Sequence, residues 1–304
     1  MAPPPLDVSV IVPAYMAETF IARALNSIAG QTALPREVIV VDDGSTDGTA
    51  AAAEACREGL GAVDLKIFRQ DNLGAGAARN RAVREATCTY LAFLDADDEW
   101  LPTKLEQSFA ALSGETLDLV AHNYTAVAPD GTESHVDCHA RFRNGPDAFA
   151  ALYRKGYLST STLVTRRDLV IAAGGFDVAL GNAQDFELWL TVLAANDCRF
   201  TVFDAALMRY HVTAGSVTTN TRRRLLCSLE IAHRFAPTLR GRPGGVYRNL
   251  WYRTLAIHLE AFQARRAQGD MVRAAGTLLA FIPRLVSISW RTAVEKPAPR
   301  AKYV

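Results

Sequence analysis

Cysteines are few in this 304-residue chain and form no pattern: Cys56, Cys88, Cys138, Cys198 and Cys227 stand far apart, with no Cys-x-x-Cys pair. That spacing excludes a zinc ribbon and a disulfide framework and is what reduced thiols in the cytoplasm would show. Long apolar runs are also missing. No window has the ~20 uninterrupted apolar residues that a spanning helix requires. The most apolar late stretch, Met271 to Trp290, is interrupted by Arg273, Pro283 and Arg284. It reads either as a helix at an interface with its arginines reaching outward, or as a helix packed on the rest of the protein. Met1 to Asp7 is proline-rich and has no basic region followed by an apolar core, so no secretory signal is expected. No G-x-G-x-x-G follows the first strand, because Pro13-Ala14-Tyr15 occupies that place, which excludes a dinucleotide-binding dehydrogenase. Internal repeats are absent.

What is present is a globular composition, 49% hydrophobic, long enough for one large domain or a domain with an appendage. The net charge of +1 conceals an asymmetry. Residues 1–220 hold 17 Lys/Arg against 28 Asp/Glu and residues 221–304 hold 16 against 4, so the two parts carry −11 and +12. An acidic front calls for cations, and a basic tail calls for an anionic partner, nucleic acid or a lipid surface.

Val8 to Val12 and Glu37 to Val41 are β-branched runs that read as buried parallel strands. Between them Thr19 to Gly30 carries Phe20, Ile21, Ala24, Leu25 and Ile28 on one helical side, completing a βαβ unit. Ser45-Thr46-Asp47 can cap a helix over Ala50 to Glu58. Leu65 to Phe68, a helix over Ala75 to Ala86, and Tyr90 to Leu94 continue the alternation. The pattern predicts a doubly wound α/β sheet with ligands at the carboxyl ends of its strands. The polar groups Pro13-Ala14-Tyr15, Asp42-Asp43, Asn72 to Asn80 and Asp95-Ala96-Asp97 all fall at such ends. Later come a strand over Leu117 to Ala121, a loop or hairpin over Thr125 to Pro146 and a strand over Ser161 to Thr165. A helix over Arg167 to Ala173 and an amphipathic helix over Asp185 to Ala194 follow. Beyond about Thr221 only helices are indicated, which divides the chain into an α/β domain, 1–220, and a basic helical extension, 221–304.

Asp95, Asp97 and Asp98 follow an apolar strand, and clustered carboxylates repel one another unless a cation or solvent relieves them. One or two carboxylates with phosphate oxygens and water are the surroundings Mg2+ or Mn2+ prefers. Asp98 and Glu99 by themselves read as a solvated acidic turn capping the helix that starts near Pro102.

Together these segments resemble the family 2 glycosyltransferases. Val8-Ser9-Val10-Ile11-Val12-Pro13-Ala14-Tyr15 is similar to the family's first strand and nucleotide loop, with Met16 where asparagine is common. Val40 to Asp47, Asn72-Leu73-Gly74 through Ala78-Arg79-Asn80, and Phe93 to Asp98 resemble its next three signatures. Gln184-Asp185-Phe186-Glu187-Leu188-Trp189-Leu190 looks like the segment that bears the catalytic base, with glutamine in place of the usual glutamate. Arg209-Tyr210-His211 and Gly215-Ser216-Val217-Thr218 resemble a late segment that closes over a diphosphate.

The resemblance implies the GT-A fold, Rossmann-like and mostly parallel, and an inverting, metal-dependent hexosyltransferase. Its donor would be a nucleotide sugar, a UDP-sugar first. Its acceptor would be a glycan, lipid-linked or small-molecule hydroxyl in polysaccharide or glycoconjugate synthesis. Carried over position by position, Pro13 and Tyr15 line the base pocket and Asp43 accepts from the imide N–H of a uracil-like base. Gly74 lets the backbone approach the donor. Arg79 meets the diphosphate or base, Asp97 ligates Mn2+ or Mg2+, Asp95 supports through ribose or metal-bound water, and His211 contacts phosphate or metal. Asp185 is the general base. Trp189 reads as core. A nucleic-acid partner is not expected. The basic tail suggests an anionic membrane surface, hence a cytoplasmic protein peripheral on the inner face. The rival reading is a catalytically silent nucleotide-sugar-binding subunit that recruits partners through its tail, against which the presence of Asp185 argues.

Overall fold

The computed structural model describes residues 4–143, 147–194, 198–212, 221–297 and 300–304. Among these residues nine strands form one sheet: β1 (Leu6–Ala14), β2 (Pro35–Asp42), β3 (Asp64–Arg69), β4 (Tyr90–Phe93), β5 (Glu99–Trp100), β6 (Leu119–Val127), β7 (Glu133–Val136), β8 (Val164–Arg166) and β9 (Phe200–His211). The order is β3-β2-β1-β4-β8-β6-β9-β5, with β7 paired to β6. The half β3-β2-β1-β4 is wholly parallel, and β6 pairs parallel with β9, while β8, β7 and β5 join antiparallel.

Side chains alternate along a strand, so the β-branched runs serve both faces at once. Val8, Val10, Val12, Val38 and Val40 point to a layer containing Ile21, Leu25, Ile28 and Leu105. Ile11, Ile39 and Val41 point to the opposite layer, with Ala78, Ala82, Phe176 and Trp189. That second cluster also includes Leu225, Ile231, Leu250, Ile257 and Ile288, so residues beyond 221 share a core with the sheet. The boundary expected at residue 220 adjoins residues 213–220, which lie outside the described residues, as does the Gly215 to Thr218 segment.

Most expected elements are present, with four local differences. The alanine-rich helix is only Thr49–Glu54, since residues 55–62 turn rather than continue it. Thr125 to Val136 is a hairpin, followed by a short helix Cys138–Arg143. Ser161 belongs to a 3-10 turn, Thr160–Thr162, ahead of the strand. Met271 to Trp290 is split between helices Met271–Leu279 and Phe281–Val294, bent by 43°. Pro283 lies in the first turn of the second, where its missing N–H costs least.

Candidate functional site

The four parallel strands end together, and each hands a polar residue to the same edge. β1 delivers Pro13, buried within the strand and paired with Val41, and then Tyr15, which is exposed. β2 delivers Asp43, whose backbone N–H donates to the Ala14 carbonyl at 2.8 Å and so ties the first two strand ends together. The Asp43 carboxylate holds the loop after β3: it accepts from Gln70 Nε2 at 2.8 Å, Leu73 N at 3.0 Å and Gly74 N at 2.7 Å. Gly74 has φ +91° and open space where a Cβ would be, so glycine is needed there for its backbone shape and not for room.

Helix Ala75–Glu85 then brings Arg79 inward. It is buried, with Nη2 2.5 Å from Asp95 Oδ1 and its guanidinium 5.4 Å from the Phe176 ring centre. Burial opposes its charge, but the carboxylates of Asp95, Asp185 and Asp97 outweigh that penalty and hold the group above the ordinary guanidinium value. One buried cation therefore bears on the metal-motif carboxylates and on the expected base at once.

After β4 the acidic loop is held by its backbone. The Asp95 N–H donates to Ser161 Oγ at 3.1 Å, and Arg23 donates to the Asp97 carbonyl at 2.5 Å. Asp98 differs from expectation. It caps no helix, because the next one starts at Lys104, after Thr103. Instead it is fully buried beside the Ser161 hydroxyl, with one oxygen accepting the His211 N–H at 3.3 Å and the other lacking a well-formed hydrogen bond among the described residues. Burial first, then the neighbouring Asp95 and Asp97, push its carboxyl well above the usual range, which favours the protonated form. His211, at the end of β9, also sets Nε2 3.4 Å from Glu99. Burial and then Asp98, Asp97 and Asp95 push the adjacent Tyr210 hydroxyl up to about 12.

Asp185 occupies the first turn of helix Gln184–Ala194, where the macrodipole favours a negative charge. One carboxylate oxygen accepts from its neighbour Phe186 N at 2.8 Å and the other faces Thr160 Oγ1 at 3.2 Å. Trp189, core as expected, aims its indole N–H at the same Thr160 oxygen at 3.1 Å. An indole N–H can only donate, so Thr160 accepts there and its own proton is left for Asp185.

Sequence reading does not reach Thr160, Ser161, Trp100 or Arg23. Trp100 Nε1 donates to the Ser161 carbonyl at 2.8 Å, fixing the turn that supports both Asp95 and Asp185. The only signal for it is the polar run Ser159-Thr160-Ser161-Thr162 opening an otherwise apolar segment.

Among the described residues no three His, Cys, Asp or Glu side chains form a metal cage. Asp95, one of whose oxygens is paired with Arg79, and Asp97 stand on one loop, and one or two carboxylates completed by substrate phosphate and water are the donors with which Mg2+ is usually held.

Residues 9–172 match the family described as glycosyl transferase family 2. The chain is 24% identical over 262 residues to the UDP-Glc:alpha-D-GlcNAc-diphosphoundecaprenol beta-1,3-glucosyltransferase WfgD of Escherichia coli, covering 86% of this chain and 98% of that protein. The S. aureus TarS 1-349 structure in complex with UDP-GlcNAc superposes with a TM-score of 0.66 at 22% identity, over 93% of this chain and 84% of that TarS chain. The mannosyltransferase PcManGT from Pyrobaculum calidifontis, in complex with GDP-Man and Mn2+, superposes with a TM-score of 0.64 at 20% identity, over 95% and 88%. The fold shared with these structures is GT-A, mixed α/β with a mostly parallel sheet and C-terminal helices. With more than half of its length matched by the family, including every strand end that builds this edge, the chain belongs to glycosyl transferase family 2 and is a glycosyltransferase.

Proposed function

We propose that the protein moves a sugar from a nucleoside diphosphate sugar to an acceptor hydroxyl with inversion, using Asp185 as general base. The observation that carries this reading is Arg79, a buried cation on which Asp95, Asp97 and Asp185 all act. In this reading the leaving-group side and the base side of one reaction are arranged around a single residue, which lies 2.5 Å from Asp95. The Asp185 carboxylate takes the acceptor proton as the acceptor oxygen attacks the anomeric carbon. The bond to the diphosphate breaks, and the diphosphate leaves on the opposite side of the sugar. Arg79 faces the departing charge, and the Thr160 hydroxyl keeps the base oriented. Asp97 and Asp95 would hold Mn2+ or Mg2+, which neutralises charge gathering on the diphosphate.

A uridine donor is favoured by Asp43. A carboxylate offers about four acceptor positions, three are taken by residues 70–74, and an imide N–H fits the fourth. The relatives' names support a nucleotide donor more broadly, since they include UDP-Glc, UDP-GlcNAc and GDP-Man. The diphosphoundecaprenol acceptor of WfgD supports a lipid-linked acceptor, ahead of a free glycan or small molecule. The five free thiols accord with a cytoplasmic protein.

Purified protein with Mn2+, screened against a panel of nucleotide sugars for binding and slow hydrolysis, identifies the donor. Asp185→Asn should then abolish transfer while UDP binding is kept. Unchanged turnover in that variant would remove the assignment of the base, and donor binding without any turnover by the native protein would leave the binding-subunit reading.

A further inference from the structure

Among the described residues, the C-terminal helices leave an apolar surface uncovered. On Met271–Leu279, Ala274 and Thr277 are buried, whereas Val272 and Leu279 are 85% and 80% exposed. Those two positions are two helical turns apart, hence on one side. On Phe281–Val294, Ile288 faces inward, and Ile282, Val286 and Trp290 recur every fourth residue as an exposed stripe on the other side. Helix Gly245–Ala267 adds exposed Leu255. These faces adjoin. Trp251 Nε1 donates to Ser289 Oγ at 3.0 Å, and the His258 ring meets Phe281 edge-on at 5.4 Å. Leu255 lies between these contacts on one helix, and Ile282 and Val286 lie between them on the other.

Charge decides what covers the surface. Residues 221–304 hold 16 Lys/Arg against 4 Asp/Glu. Exposed Arg248 and Arg266 stand seven residues before and eleven after Leu255, spacings that return to the same side of a helix. An apolar stripe flanked by arginines is the pattern of a helix lying in a bilayer interface, the cations reaching the headgroups. A second copy of the chain would set one basic face against another, at a repulsive cost. The two bent helices have the combined length and composition of a broken span. Their inner sides are occupied, however: Ile288 and Ala274 are buried, and Arg291 pairs with Glu230 at 3.3 Å. Leaving for the bilayer core would break that packing.

We infer that this face of the C-terminal helices rests in plane on an anionic lipid bilayer, with the acidic front, 17 Lys/Arg against 28 Asp/Glu, turned away from it. Binding of this kind is independent of the donor, the base and the acceptor proposed above, so it stands or fails separately from them.

The test is flotation of the full chain with phosphatidylcholine vesicles containing phosphatidylglycerol, beside vesicles of phosphatidylcholine alone. The protein floats with the anionic vesicles at low salt, and markedly less in high salt or with neutral lipid. The double variant Leu279→Glu, Ile282→Glu lowers its partitioning by roughly tenfold. Arg266→Ala lowers it by about fivefold, the factor that about 1 kcal/mol per basic residue near such a surface represents. Thermal melting checks the fold of each variant, and Val272→Asp, at the most exposed position, repeats the measurement if the double variant melts early. Failure to float with anionic vesicles overturns the inference, as does undiminished flotation of folded variants. Resistance to alkaline carbonate extraction overturns it in favour of a span. A dimer abolished by the same variants, without vesicle binding, overturns it in favour of a second copy.

Discussion

Replacing Thr160 by valine removes one hydroxyl that serves two partners while keeping the shape of the side chain. Its proton goes to Asp185 at 3.2 Å and its oxygen receives the Trp189 indole N–H at 3.1 Å. Hydrogen bonds to charged groups contribute about 1.5–3 kcal/mol. At 3.2 Å this one is long for an O–H to oxygen contact, so the lower end applies, and kcat should fall about tenfold. The buried Trp189 N–H is left without an acceptor, which costs about 1–3 kcal/mol of stability and a few degrees of Tm. The two effects separate cleanly. Thr160→Ser keeps both bonds and should restore kcat and Tm together. A double-mutant cycle with Asp185→Asn then isolates the catalytic part, because with no carboxylate to orient, Thr160→Val should lower the residual rate no further. Steady-state transfer with the preferred donor, beside thermal unfolding, measures both. Equal losses from Thr160→Val in the native and the Asp185→Asn backgrounds, or an unchanged kcat, would refute the positioning of the base through Thr160.

Gly44→Ala should disrupt the donor loop: φ is +76°, and a Cβ would lie 2.8 Å from the Asn72 backbone nitrogen, so backbone must move. UDP affinity measured by calorimetry should fall at least severalfold. Arg234→Ala should cost about 3–5 kcal/mol in denaturant unfolding, since Arg234 is 2.7 Å from buried Asp177 and 2.8 Å from buried Glu187 on the base-bearing helix. Arg300 also contacts Glu187, at 2.9 Å, so the loss should be smaller for Arg300→Ala than for Arg234→Ala. Acid stability should decline in two stages. Burial and the nearby Lys104 charge push His122 down to about 3 from 6.5, so the stability its neutral form carries is lost as pH falls from 6.5 toward 3. Burial would raise Glu37, but donors from Lys66, Ser9 and Thr87 pull it down to about 2 from 4.5. Its contribution, about 3 kcal/mol, is present above pH 4.5 and lost as pH falls toward 2. Unfolding free energy measured from about pH 7 to about pH 3 checks both, and Glu37→Gln should flatten the lower stage.

Legibility followed the range of the interactions. The strand runs Val8 to Val12 and Glu37 to Val41 could be read directly because burial on both faces leaves a continuous β-branched sequence. β9, twelve residues long, carries no such run: Asp204 and Arg209 interrupt it, and its partners β6 and β5 are about eighty and one hundred residues upstream. Asp95, Asp97 and Asp43 were legible as candidates because they follow strands, and Arg79 because it lies in the helix that opens after the loop at the end of β3. Asp98 was misread because an acidic residue before a helix is an ordinary cap, and nothing local says that β9 will bury it. Thr160 was invisible for a related reason, its partners being residues 185 and 189 on another element.

By itself, therefore, the sequence determined the parallel half of the sheet, the edge where its polar loops converge, the family and the charge split at residue 220, since each rests on patterns within a few tens of residues. The tertiary structure decided what those residues do to one another. It put Asp185 within the field of Arg79, gave Thr160 to the base, buried Asp98, and packed the basic helices so that one apolar face remained outside. Such outcomes depend on contacts between distant segments, where the position of a neighbour, and not the residue's own chemistry, sets its protonation, its partners and its exposure.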